Sequence, residues 1–99
     1  MVIDYMKDIL PVGSVVSIRF SKEKYMIIGF CTIDEETKKI YDYSAVRYPI
    51  GFESLNNINM FNKEVIKKIY HFGFFNDEHK EYEKKIKEAL ENKKMKDGI

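Results

Sequence analysis

With 99 residues, one cysteine and a formal net charge of +1 from 17 basic and 16 acidic side chains, the chain is sized for one domain around one core. The near balance of charge lacks the basic excess of a nucleic-acid binder. A lone Cys31 excludes an internal disulfide and suits a reducing compartment, and no apolar run approaches the roughly 20 residues of a membrane span.

The residues before Leu10 read as a loose lead-in in which Val2, Ile3, Tyr5 and Met6 could make one docked helical turn. Two acids and no long apolar core distinguish this start from a signal peptide, so a cytoplasmic protein is expected. Leu10-Pro11-Val12-Gly13-Ser14 is a turn, since Pro11 cannot donate to a ladder and Gly13 tolerates a positive φ. From Ser14 onward Val16, Ile18 and Phe20 alternate with Ser17 and Arg19, the pattern of a half-buried strand. The polar Ser21-Lys22-Glu23-Lys24 then makes a hairpin connection to an antiparallel neighbour.

That neighbour, Tyr25 to Ile33, is nine residues without a charge and is expected to be the central strand. Its apolar groups fall on both parities, which predicts protein against both of its faces. Cys31 within it reads as a small buried apolar residue rather than a reactive thiol. A polar loop, Asp34 to Lys39, leads into a third strand from Ile40 to Tyr48, ended by Pro49 because proline cannot serve in an interior ladder. This strand is less apolar than the second, which places it nearer an edge or a working surface. The stretch from Phe52 to Phe61 has no sustained period and reads as a loop packed by Phe52, Leu55 and Phe61.

Asn62 followed by Lys63-Glu64-Val65-Ile66 predicts an N-capped single turn. Alternation from Lys67 to Phe74 gives a fourth strand, with Gly73 marking a bulge or close approach; a helix from Lys63 through Phe72 is the rival reading. Asn76-Asp77-Glu78 caps the last element, an amphipathic helix to about Asn92. Its apolar stripe is Tyr82, Ile86, Ala89 and Leu90, and Glu81–Lys85 and Glu83–Lys87 are spaced for pairing. The expected class is α+β, mainly β: a small antiparallel, barrel-like sheet of four to five strands over residues 10–75, the helix over 76–92, and a frayed basic tail over 93–99. No linker divides the domain.

Catalysis needs a nucleophile with a base, paired carboxylates in a pocket, or a metal cluster. His71 and His79 stand eight apart without a recurring ligand spacing, and the five glycines are too scattered to cradle phosphate. Asp34-Glu35-Glu36 reads as a solvated hairpin tip rather than a calcium site. No catalytic residue, metal or cofactor is therefore expected. Seven tyrosines favour a protein-binding module, because tyrosine is enriched in buried interface centres. Tyr41, Tyr43, Tyr48 and Phe52 are the partner-surface candidates; the alternative is that Tyr41 and Tyr43 line the helix-facing side of the sheet. A nucleic-acid module using Lys93, Lys94 and Lys96, or an enzyme with an unrecognised site, is the alternative function.

The spaced set Leu10-Pro11-Val12-Gly13-Ser14-Val15-Val16, Met26-Ile27-Ile28-Gly29, Tyr41-Asp42-Tyr43 with Ala45-Val46 and Tyr48-Pro49-Ile50-Gly51, then Phe61-Asn62, resembles one family. It is similar to the small domain of unknown function encoded beside LXG polymorphic toxins of the type VII secretion system in Gram-positive bacteria. The similarity runs from about Leu10 to Leu90 and departs at Ile50, where the family usually has an acidic residue. The resemblance implies a cytoplasmic accessory, a chaperone or targeting factor that meets a toxin export domain or a neighbouring small helical protein. The charge balance, the lack of a long apolar run and the absence of site motifs lead to the expectation of no nucleic acid, membrane or cofactor, and the oligomeric state stays open.

Overall fold

The computed structural model of the chain describes residues 8–97, with side chains as far as Asn92. Five strands form one antiparallel sheet: β1 (Val15–Ile18), β2 (Lys24–Ile33), β3 (Ile40–Tyr48), β4 (Asn59–Phe61) and β5 (Ile66–His71). The helix α1 (Asp77–Asp97) follows. Strand order is β4-β3-β2-β1-β5, so the charge-free second strand is central and β4 and β5 are the edges. The rival helix over 63–72 is replaced by a 3-10 turn at Lys63–Val65 and by β5.

Chain length forces this sheet to curl. Laid flat, its two edge strands would stand about 19 Å apart, four spacings of roughly 4.8 Å. Phe61 ends β4 and Ile66, five residues on, begins β5; that connection reaches at most about 18 Å when fully extended, and three of its residues are in a tighter 3-10 turn. The sheet bends until its edges approach, and it remains open because β4 and β5 do not pair.

Apolar groups occur on both parities of β2 partly because the second face is also covered, Val15 and Val46 opposite Met26 being buried, and partly because the strand changes faces along its length. Ile27 pairs with Ala45 but Gly29 pairs with Ser44, so Ile28 is an extra residue, a bulge. A one-residue slip exchanges the faces of everything beyond it. Tyr25 and Ile27 reach the core before the bulge and Phe30 reaches it afterwards, while Ile28 is exposed. The other face is therefore only partly covered. Cys31, at φ 50°, is half-buried rather than buried, with its Sγ 3.8 Å from the Ile86 carbonyl.

β3 occupies the residues expected of it but is an interior strand, not an edge. It pairs with β2 along its length and with β4 through Tyr43, Ser44 and Ala45. Its polarity is buried polarity: Asp42 accepts from the Lys63 N–H at 2.9 Å through its carboxylate, and its own N–H donates to Asn62 Oδ1 at 3.0 Å. Asn62 therefore makes no side-chain cap for the turn after it, and Asp42 takes that place.

The core is a row of rings. Tyr25 meets Phe61, Phe61 meets Tyr43, Tyr43 meets Phe30 and Phe30 meets Tyr82, with centroids 6.0–6.1 Å apart and the rings tilted or edge-on, arrangements worth roughly 0.5–1.5 kcal/mol per pair beyond area burial. Asn76 Oδ1 accepts from the His79 N–H at 3.1 Å and caps α1. The helix packs through Ile86 and Leu90, whereas Ala89 is exposed and Tyr82 is half out of the core, keeping only one side of its ring on Phe30. Glu83 lies 3.9 Å from Lys87, but Glu81 pairs with Lys84 rather than Lys85.

Residues 1–7 of the expected lead-in lie outside the described residues, and Ile9 is not loose. It is buried, its N–H donates to Glu83 Oε2 at 2.7 Å, and its carbonyl accepts from His79 Nε2 at 2.9 Å. Leu10, fully buried, donates its N–H to the Tyr43 hydroxyl at 3.0 Å. This two-residue clamp ties α1 to β3. The turn after it holds Gly13 at φ +93° and lies against Gly73, where a Cβ would stand 2.3 Å from the Val12 carbonyl oxygen. Gly73 is thus a close approach of two backbones. Phe20, expected in the first strand, instead takes φ 67° in the hairpin turn and is fully exposed. The helix runs on to Asp97, past the expected end at Asn92; Gly98 and Ile99 lie outside the described residues.

Candidate interaction surface

The four candidate partner residues do not form one surface. Alternation along β3 puts Tyr41 and Tyr43 on the core face and Tyr48 on the other. Tyr43 is 0 % exposed, its ring between Phe30 and Phe61 and its hydroxyl on the Leu10 N–H; it is a core residue and presents nothing to a partner. Burial pushes its hydroxyl from an ordinary 10.0 up to about 12, against the opposing pull of the Leu10 hydrogen bond and with a smaller push from the Asp42 charge. Tyr41 is half-buried.

Tyr48 and Phe52 do reach solvent, at 51 % and 61 % exposure, and two neighbours join them: Ile50 at 50 % and Leu55 at 80 %. Neither Phe52 nor Leu55 packs its loop, as the sequence pattern had implied. The connection between β3 and β4 is held instead by its polar groups. Gly51, at φ +79°, donates its N–H to the Arg47 carbonyl at 2.8 Å, and Arg47 Nη2 lies 2.9 Å from Glu53 Oε1. Ser54 Oγ donates to Asn57 Oδ1 at 2.7 Å, around a 3-10 turn at Leu55–Asn57. The polar groups of this connection bond one another, while four large apolar side chains stand exposed within eight residues.

Among the described residues no three histidine, cysteine or acidic side chains come together as metal ligands. His79 is occupied by the Ile9 carbonyl, with its ring 5.3 Å from that of Phe75, and His71 is exposed at the end of β5. Among the described residues no helix is long and apolar enough to cross a membrane.

Residues 9–82 match the model of DUF4176, a domain of unknown function. The chain belongs to the DUF4176 family. The matched region of this DUF4176 domain opens at the clamped Ile9, takes in all five strands and the exposed loop, and ends in α1 at Tyr82. No curated protein and no solved structure matches the chain.

Sequence reasoning missed Ile50 and Leu55 because a segment without period offers no face to assign. The available signal was compositional: apolar side chains set among Pro49, Gly51, Asn56 and Asn57 belong to a chain that turns too often to bury them.

Proposed function

We propose that this DUF4176 domain is a non-enzymatic protein-binding accessory whose partner docks on the β3–β4 loop through Tyr48, Ile50, Phe52 and Leu55. The observation that carries this reading is the loop's construction, a hydrogen-bonded frame presenting four large apolar groups to solvent. Large apolar groups so presented mark contact surfaces, and aromatic side chains supply most of the energy of such contacts. With Tyr43 in the core and Tyr41 half-buried on the same face, the exposed candidates are Tyr48 and Phe52, joined by Ile50 and Leu55.

The resemblance carried by Leu10–Val16, Met26–Gly29, Tyr41–Tyr43 with Ala45-Val46 and Tyr48–Gly51, and Phe61-Asn62 supplies the finer identity. It supports a cytoplasmic chaperone or targeting factor for an LXG toxin exported by type VII secretion, binding the toxin's N-terminal export domain or a small helical protein encoded beside it. Co-expression with that export domain, followed by affinity purification through either partner, tests the reading. A stoichiometric complex is expected; a partnerless protein that turns over a metabolite in an activity screen would replace the accessory role with an enzymatic one.

A further inference from the structure

A net charge of +1 conceals an uneven distribution. Arg19, Lys22, Lys24, Lys63, Lys67 and Lys68 face only Glu23 and Glu64 in the two segments 19–24 and 63–68, six positive against two negative and so +4, leaving −3 for the rest of the chain. The fold brings these segments together. Ser17 of β1 pairs with Lys24 on one side and Lys68 on the other, and the Arg19 N–H donates to the Val65 carbonyl at 2.9 Å. Lys24 Nζ and Lys68 Nζ lie 4.9 and 4.8 Å from the centre of one half-exposed ring, Tyr70. None of the six cations has an ion-pair partner among the described residues.

This charge borders an open sheet edge. Among the described residues β5 pairs with β1 alone, so one side of its six-residue backbone has no strand against it. The opposite edge, β4, is three residues long and uncharged. An open edge templates strand addition, and lysines on it reject strands of like charge. A second copy of β5 would bring its own Lys67 and Lys68 against these. An acidic strand would be attracted where that copy is repelled.

We infer that the outer edge of β5 captures an extended acidic segment of a protein partner, which adds a sixth strand and sets its carboxylates on Lys24, Lys67 and Lys68. The inference rests on the protein-binding reading above and gives the partner a second contact, separate from the apolar loop. Single-stranded nucleic acid fits less well: Glu23 and Glu64 stand within the patch, and phosphates cannot use the alternating N–H and C=O groups that an edge strand offers.

The test titrates the ¹⁵N-labelled full chain with a ten-residue peptide of alternating glutamate and valine. Expected are amide shift changes concentrated at Ile66–His71 and Lys24. The affinity should fall about tenfold or more as salt rises past the point where the screening length drops to roughly 3 Å, and Lys67→Glu with Lys68→Glu should abolish binding without altering the melting curve. A peptide with proline at a central valine should fail, since it cannot complete the ladder. Equal binding by a lysine–valine peptide, binding by oligo-dT in place of the acidic peptide, or no shift at β5 would each overturn the inference. Toxin export-domain capture separates the two claims. If capture survives the paired lysine variants but is lost in Phe52→Ser, this inference falls and the loop reading stands; if the peptide binds β5 while no domain is captured, the reverse holds.

Discussion

Tyr43 and Phe52 are both large aromatic residues, nine positions apart on either side of Pro49, and the fold uses them in opposite ways. Around Tyr43 every neighbour is supplied from within: Phe30 and Phe61 against the ring, the Leu10 N–H on the hydroxyl, and β2 and β4 on either side of the backbone. Around Phe52 the polar groups of the loop bond one another and leave the side chain in water. Aromatic content alone does not separate structural from functional residues. The difference lies in whether the chain itself provides the second surface.

The largest effect on stability is expected on the first side of that contrast. Tyr43→Ala removes a fully buried ring from the middle of the aromatic row and should cost about 3–5 kcal/mol, read by denaturant unfolding; a loss under about 1 kcal/mol would place Tyr43 outside the core. Ile86→Ala, buried at the helix contact, should cost about 2–5 kcal/mol, and Tyr82→Ala clearly less, because half of that ring already lies in solvent. Equal losses at the two positions would mean that α1 is docked differently.

Gly73→Ala comes next. Its Cβ meets backbone, the Val12 carbonyl oxygen, rather than a side chain that can swing away, so a cost of about 1–3 kcal/mol is expected. A neutral result would show that the first turn and the end of β5 separate freely. Tyr43→Phe keeps the ring and strands the Leu10 N–H, for about 1–3 kcal/mol. This variant also carries a pH signature. The folded state holds the Tyr43 proton up to about pH 12 where an ordinary tyrosine loses it at 10.0, so that group's contribution is complete below pH 10.0 and is lost as pH rises through 12. The gap in unfolding free energy between wild type and Tyr43→Phe should therefore narrow by roughly 2 kcal/mol across that window, and a constant gap would contradict the buried hydroxyl.

Long regular elements were legible in the sequence because their signals repeat. Ile40 to Tyr48 stands out as one long apolar-rich run between a polar loop and Pro49, and the helix stripe recurs through Ile86 and Leu90. Three residues of β4 carry no period, and the bulge at Ile28 is visible only in the pairing. The Ile9–Leu10 clamp depends on Glu83, His79 and Tyr43, side chains distant in sequence. At the candidate surface, Tyr48 and Phe52 were legible as apolar residues near a proline stop. Tyr43 was not legible as core because polar residues in a strand ordinarily signal exposure, whereas Asp42 and Ser44 of β3 are buried. Cation clustering was hidden by the neutral total, since segments 19–24 and 63–68 meet only across β1.

The smallest stability effect carries the most functional weight. Phe52→Ser and Leu55→Ser touch no core, so each should leave unfolding free energy within about 0.5 kcal/mol of wild type. The direct test measures capture of the LXG toxin export domain and the melting temperature together for wild type, Phe52→Ser and Tyr43→Phe. The expected result is that Phe52→Ser loses capture at an unchanged melting temperature, while Tyr43→Phe melts lower and still binds below its transition. Capture retained by Phe52→Ser, or a melting temperature lowered as far as in Tyr43→Phe, would contradict it.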